Sequence, residues 1–166
     1  MSPLRIRPAT VDDVPLVLEL IRGLAEYERL AHEVVATEEQ LRASLFGPQP
    51  GAEVVLAYVG EEPAGFALYF HNYSTFLAQR GLYLEDLFVR PAWRGRGIGY
   101  ALLRHLARLA LERGCGRLEW RVLDWNADAI RFYERIGAKA MSDWTVYRLA
   151  GDALVRLADS PAPSAP

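Results

Sequence analysis

The chain has 166 residues, 51% of them hydrophobic, and a formal net charge of −2. That length suits one domain with an ordinary core, and that charge supplies no global field for nucleic acid or an anionic membrane. One cysteine rules out a disulfide framework or a cysteine-based zinc site. No apolar run approaches a membrane span, and Met1-Ser2-Pro3-Leu4-Arg5 lacks a signal-peptide core, so a cytoplasmic protein is expected.

Leu4-Arg5-Ile6-Arg7 alternates and predicts a first strand. Thr10-Val11-Asp12-Asp13 is a helix start, and Val14, Val17, Leu18, Ile21, Leu24 and Ala25 form one apolar stripe after it. The segment Glu26-Tyr27-Glu28-Arg29 closes that helix with acids that oppose its dipole. Thr37-Glu38-Glu39-Gln40 has capping-box spacing and predicts a second helix ending near Gly47-Pro48. Ala52 to Val59 and Ala64 to Phe70 read as strands joined by the turn Gly60-Glu61-Glu62-Pro63.

The stretch from Tyr83 to Tyr100 organises the rest. It is an apolar strand holding the adjacent carboxylates Glu85 and Asp86, then Pro91, then Arg94-Gly95-Arg96-Gly97-Ile98-Gly99 opening a helix that runs to Gly114. Glycines there permit positive φ and let backbone N–H groups converge on an anion, with the helix N-terminus behind them. Arg94 and Arg96 add positive charge, so the loop reads as a pyrophosphate cradle. Arg117 to Leu123 is a further strand, Asn126 to Ile136 a helix stopped by Gly137, and Ala138 to Met141 and Thr145 to Leu149 two final strands. A Pro-rich tail over 159–166 is expected to be disordered, leaving one domain over 1–158. The pattern is an α/β fold with a mixed sheet.

The run Arg94-Gly95-Arg96-Gly97-Ile98-Gly99 resembles the Arg-x-x-Gly-x-Gly signature of the GNAT acetyltransferases, and the element order resembles the GNAT fold, a mixed, mostly antiparallel sheet flanked by helices. Asn126 to Ala138 looks like that family's Asn…Phe-Tyr…Gly segment. Ile6-Arg7-Pro8-Ala9-Thr10, Leu24-Ala25-Glu26-Tyr27-Glu28, Gly65-Phe66-Ala67-Leu68-Tyr69 and Leu82 to Val89 resemble the diamine acetyltransferases, which act on spermidine, spermine and thialysine. The resemblance covers Arg5 to Leu149 and implies acetyl-coenzyme A as co-substrate. It implies a coenzyme site of Leu87, Phe88 and Val89, the loop from Arg94 to Tyr100 (Arg94, Gly95, Arg96, Gly97, Ile98, Gly99, Tyr100), Asn126, Asp128 and Tyr133.

Acetyl transfer to an amine needs a neutral nitrogen. A lysine-like amine has a pKa near 10.4, so deprotonation at pH 7 costs about 4–5 kcal/mol, and a carboxylate can take that proton. Glu85 and Asp86 are the candidates. Strand neighbours point to opposite faces, so only one reaches a given pocket unless the strand bulges. The resemblance assigns the amine to Glu85, with Asp86 helping through water, and makes Tyr133 the acid that protonates the coenzyme thiolate. The other reading of Tyr133 is a core aromatic with a satisfied hydroxyl. Tyr27 and Glu28 match positions that meet the substrate; a solvated helix end is the other reading. Cys115, between two glycines, reads as a small buried residue, and His32, His71 and His105 show no metal-ligand spacing, so no metal is assigned.

The connection between the second and third strands is short, and Trp144-Thr145-Val146-Tyr147 stands where the polyamine enzymes have an acidic-Gly-Trp stretch. A short diamine or lysine analogue is therefore as good an acceptor as spermine. The alternatives are a protein lysine or N-terminus, an aminoglycoside, or a coenzyme A-binding module without catalysis. The related enzymes are homodimers, and exposed aromatics near Tyr69, Phe70, Tyr73 and Phe76 would suit such an interface.

Overall fold

A computed structural model describes residues 2–163. These residues fall into two compact units, one ending at Leu123 and one beginning at Asp124.

The first unit is built on a five-stranded sheet in the order β1-β2-β3-β4-β5. The strands are β1 (Leu4–Pro8), β2 (Glu53–Val59), β3 (Glu62–Ser74), β4 (Gln79–Val89) and β5 (Leu118–Trp120). All neighbours are antiparallel except β4 and β5, which run parallel. The helices are α1 (Val14–Tyr27), α2 (Glu38–Phe46) and α3 (Ile98–Glu112). Residues Val54 to Ala57 of β2 are all buried, as expected of a strand covered on both faces. One layer joins Val14, Val17, Leu18, Leu20 and Leu24 of α1 to Leu41 and Leu45 of α2, Leu56, Phe66 and Phe88. On α3, Leu102, Leu103, Leu106 and Ala110 recur at helical spacing and are buried.

Local chemistry sets the element ends. Thr37 Oγ1 accepts from the Gln40 N–H (3.2 Å) while Gln40 Oε1 accepts from the Thr37 N–H (3.0 Å), which is the expected capping box. Helix α1 closes with the Leu30 N–H donating to Ala25 O (2.8 Å) and Arg29 in the left-handed region (φ 61°). Gly23 lies in α1 because a Cβ there would stand 2.8 Å from the Phe88 ring.

The second unit carries α4 (Ala127–Arg135) and α5 (Gly151–Ala158). Here the structure corrects the sequence reading. The two final strands, Ala138 to Met141 and Thr145 to Leu149, do not form, and residues 138–149 carry no helix or strand. Extended propensity makes a strand only where a ladder partner exists, and these residues pair with no strand among the described residues. Helix α5 was not foreseen. Likewise Arg117 to Leu123 shortens to the three residues of β5, because its ladder with β4 stops at Leu84↔Trp120. The expected disordered tail lies partly outside the described residues; Asp159 caps α5 and Ser160 Oγ donates to Leu157 O (2.8 Å).

Tyr69, expected near the surface, is 3% exposed in β3, whereas Tyr73 and Phe76 are 64% and 91% exposed around the β3–β4 turn. Burial pushes the Tyr69 hydroxyl up to about 12.

Candidate active site

The site begins with an irregularity in β4. Leu68 pairs with Asp86 and Tyr69 with Leu84, so Glu85 has no partner residue on β3 and forms a β-bulge. On the other side of β4 the parallel ladder also stops at Leu84. From Asp86 to Val89 the strand is therefore paired with β3 but not with β5, and Glu85 is paired with neither. A bulge beside the end of a ladder re-aims side chains that a regular pleat would send to opposite faces.

Glu28, the residue after α1, joins the two carboxylates of the bulge. Asp86 is half-buried; desolvation, then the charges of Glu85 and Glu28, push its carboxyl up to about 7, against an opposing pull from Arg121. Desolvation also raises Glu28, with Arg121 lowering it and Glu85 raising it. Arg121, the first residue past β5, donates through Nη2 to Glu85 Oε1 (3.3 Å). Tyr83, on the same strand, is raised by desolvation, with Arg121 lowering it and Glu85 raising it. The structure thus brings together Glu28, Glu85 and Asp86 from the sequence reading. Arg121 was missed; its signal was a charge within the strand expected over Arg117 to Leu123.

The glycine loop lies at the far end of β4. A short turn, Pro91–Trp93, leads to Arg94, and Gly97 is the N-cap of α3. Gly95 and Gly97 adopt φ of 74° and 77°, where other residues are strained. A Cβ at either would meet nothing within 4 Å, so the space over the loop is open to a ligand. Gly99 has no such φ, and its Cβ would make only ordinary contact with Val89. The first intrahelical bond of α3 runs from the Ala101 N–H to Gly97 O (2.9 Å), and no acid stands in the first turn. The N–H groups of that turn have no carbonyl within the helix to meet, which with the dipole favours an anion.

The two arginines of the loop are held differently. Arg94 Nε donates to Val89 O (2.9 Å), and its guanidinium lies over Tyr27 (4.7 Å) and Phe88 (5.6 Å). Arg96 lies over Trp93 (4.8 Å). Arg94 thereby ties the loop to the end of α1, next to Glu28.

Asn126, Asp128 and Tyr133 belong to the second unit. Asn126 caps α4, its Oδ1 accepting from the Ala129 N–H (3.3 Å); Asp128 pairs with Arg131; the Phe132 and Tyr133 rings lie 5.6 Å apart. Among the described residues no group of three His, Cys, Asp or Glu side chains could hold a metal, and no helix is long and apolar enough to cross a membrane.

The β4–β5 ladder that stops at an acidic bulge and the glycine loop that caps α3 fit the acetyltransferase resemblance of the sequence, and the comparisons show the class. The acetyltransferase (GNAT) family model matches residues 18–138, and the chain belongs to this family. It is 38% identical to a thialysine N-epsilon-acetyltransferase of Bos taurus, over 95% of this chain and 99% of that protein. It is 37% identical to an L-ornithine N5-acetyltransferase of Arabidopsis thaliana, over 90% of this chain and 86% of that one. Among solved structures, an integron cassette protein from the mobile metagenome of V. cholerae superimposes with a TM-score of 0.78 and 32% identity, covering 96% of this chain and 99% of that one.

Proposed function

We propose that the chain transfers the acetyl group of acetyl-coenzyme A to a primary amine of a small diamine or diamino acid. The observation that carries this reading is the bulge at Glu85, where Glu28, Glu85 and Asp86 interact in one corner. Three acids suit an acceptor that arrives as a cation, and the relatives named for thialysine and ornithine act on such amines.

The glycine loop fits the coenzyme: open space above Gly95 and Gly97 and the first turn of α3 suit a pyrophosphate. When bound, the coenzyme supplies a thioester whose carbonyl carbon accepts the amine nitrogen. Glu28 and Glu85 hold the incoming ammonium. Asp86 takes its proton, because a base that titrates near the working pH is the most effective one. Backbone N–H groups of Leu87 to Val89 would stabilise the negative charge that the thioester carbonyl oxygen gains on attack. When the C–S bond breaks, Tyr133 would give its proton to the leaving thiolate and the nitrogen would release its second proton to solvent, which leaves the amide and the free thiol; the Tyr133 role rests on the family resemblance. Asn126 and Asp128 are likewise assigned to the coenzyme by resemblance.

Thiol release from acetyl-coenzyme A with a panel of amines tests the reading. Diamines, ornithine and thialysine should support turnover, whereas alcohols and neutral amides should not. Release with aminoglycosides or peptide N-termini alone would overturn the acceptor assignment. Coenzyme binding with no turnover on any amine would favour a binding module instead.

A further inference from the structure

Arg121 is the one feature of the acidic corner that a site for plain polyamines does not need. The β4–β5 ladder ends at Leu84↔Trp120, and the next residue on each strand is Glu85 and Arg121. Their side chains meet at 3.3 Å and stay open, 38% and 50% exposed. The guanidinium also acts on Tyr83, Asp86 and Glu28. An exposed pair of this kind contributes little to stability, so fold maintenance does not account for it. A fixed cation among three acids cancels part of the field that would attract a diamine, and it repels an ammonium at close range.

A carboxylate reverses that balance. The guanidinium is a planar fork of N–H donors that matches a carboxylate's two oxygens. A diamino acid brings two ammonium groups and one carboxylate; the corner offers three acids and one guanidinium. We propose that Arg121 receives the carboxylate of the acceptor and so makes the enzyme select α,ω-diamino acids over diamines of the same chain that lack the carboxylate. This rests on the acetyltransferase reading of the same corner. For a diamino acid Glu85 then releases Arg121 and turns to the α-ammonium, while Glu28 holds the amine that Asp86 deprotonates.

The matched pairs ornithine and putrescine, and lysine and cadaverine, differ only by that carboxylate, so they form the test. kcat/KM is measured with acetyl-coenzyme A for wild type, Arg121→Gln and Arg121→Lys, at a pH above the range where Asp86 titrates. The wild type should favour the amino acid in each pair. Arg121→Gln should lower kcat/KM for the amino acid by about 10- to 100-fold, mostly through KM, the range for a charge-assisted hydrogen bond. The diamine should improve in the same variant, because a repelling charge is gone. Arg121→Lys should restore part of the preference. Equal losses for both members of a pair, or a wild-type preference for the diamine, would overturn the proposal. Calorimetric binding of ornithine and putrescine in the presence of coenzyme A separates it from the acetyl-transfer reading. Tighter ornithine binding that Arg121→Gln abolishes supports the carboxylate site even without turnover; equal binding of the two overturns it.

Discussion

Asp86 concentrates the chemistry at the scale of single residues. Its carboxyl is pushed up to about 7 by burial and by the neighbouring charges of Glu85 and Glu28. The protonated form is therefore the one the fold favours. Stability from this group is full below the ordinary carboxylate range and is lost as pH rises through about 7. Asp86→Asn should accordingly raise the melting temperature relative to wild type above neutral pH and not at pH 4. In catalysis the sign is opposite, since the base must be ionised. For an acceptor bound as ammonium, kcat/KM should rise through about 7 and then level. In Asp86→Asn the free base must come from solution, so the rate should keep climbing toward the amine's own pKa near 10. Identical profiles in the two proteins would remove Asp86 from the mechanism. The carboxylates Glu85 and Asp86 were legible in the sequence, but their shared corner was not. Strand periodicity sends neighbours to opposite faces, and only the bulge, a pairing property of β3 with β4, brings them together. Arg121 was hidden for the same reason: its place follows from where a ladder stops.

Among the elements, the glycine loop and α1 meet at the C-terminal end of β4, where Arg94 reaches Val89 O and the Tyr27 and Phe88 rings. Gly95 and Gly97 have positive φ and leave open space, whereas Gly99 has no such φ. Gly97→Ala puts a methyl into that space at a strained φ; coenzyme A affinity by calorimetry should drop at least tenfold in a protein that still melts cooperatively. Unchanged affinity would make the loop structural. Gly23→Ala tests the other contact. Alanine is the better helix former by about 1 kcal/mol, but its Cβ would stand 2.8 Å from the Phe88 ring, and overpacking costs about 1–3 kcal/mol. The melting temperature should therefore fall, although α1 itself is improved. A rise would mean that Phe88 shifts without cost. The strands that the sequence suggested after Gly137 did not form because extended propensity supplies no ladder partner.

For the whole molecule, Tyr73 and Phe76 are exposed around the β3–β4 turn, and Trp144, Val146 and Tyr147 are 76%, 71% and 94% exposed. Apolar surface of this kind is a feature of association, and a symmetric homodimer is the assembly proposed. Light scattering at micromolar concentration should give twice the mass of the chain, and Phe76→Ser should shift it toward monomer; a wild-type monomer would contradict the proposal. Tyr133→Phe keeps the ring and removes the proposed acid. Turnover should drop by about 10²–10⁴-fold with coenzyme affinity unchanged.

The central claim is that the acids at the β4 bulge receive a cationic amine, apart from the loop proposed for the coenzyme. The most direct measurement is kcat/KM for thiol release by Glu85→Gln, with ornithine and putrescine as acceptors and acetyl-coenzyme A saturating. The substitution keeps size and most hydrogen bonding but removes the charge. The account predicts a loss of at least tenfold for both acceptors, with the KM for acetyl-coenzyme A unchanged. Wild-type kcat/KM for both amines in a folded Glu85→Gln protein would contradict it.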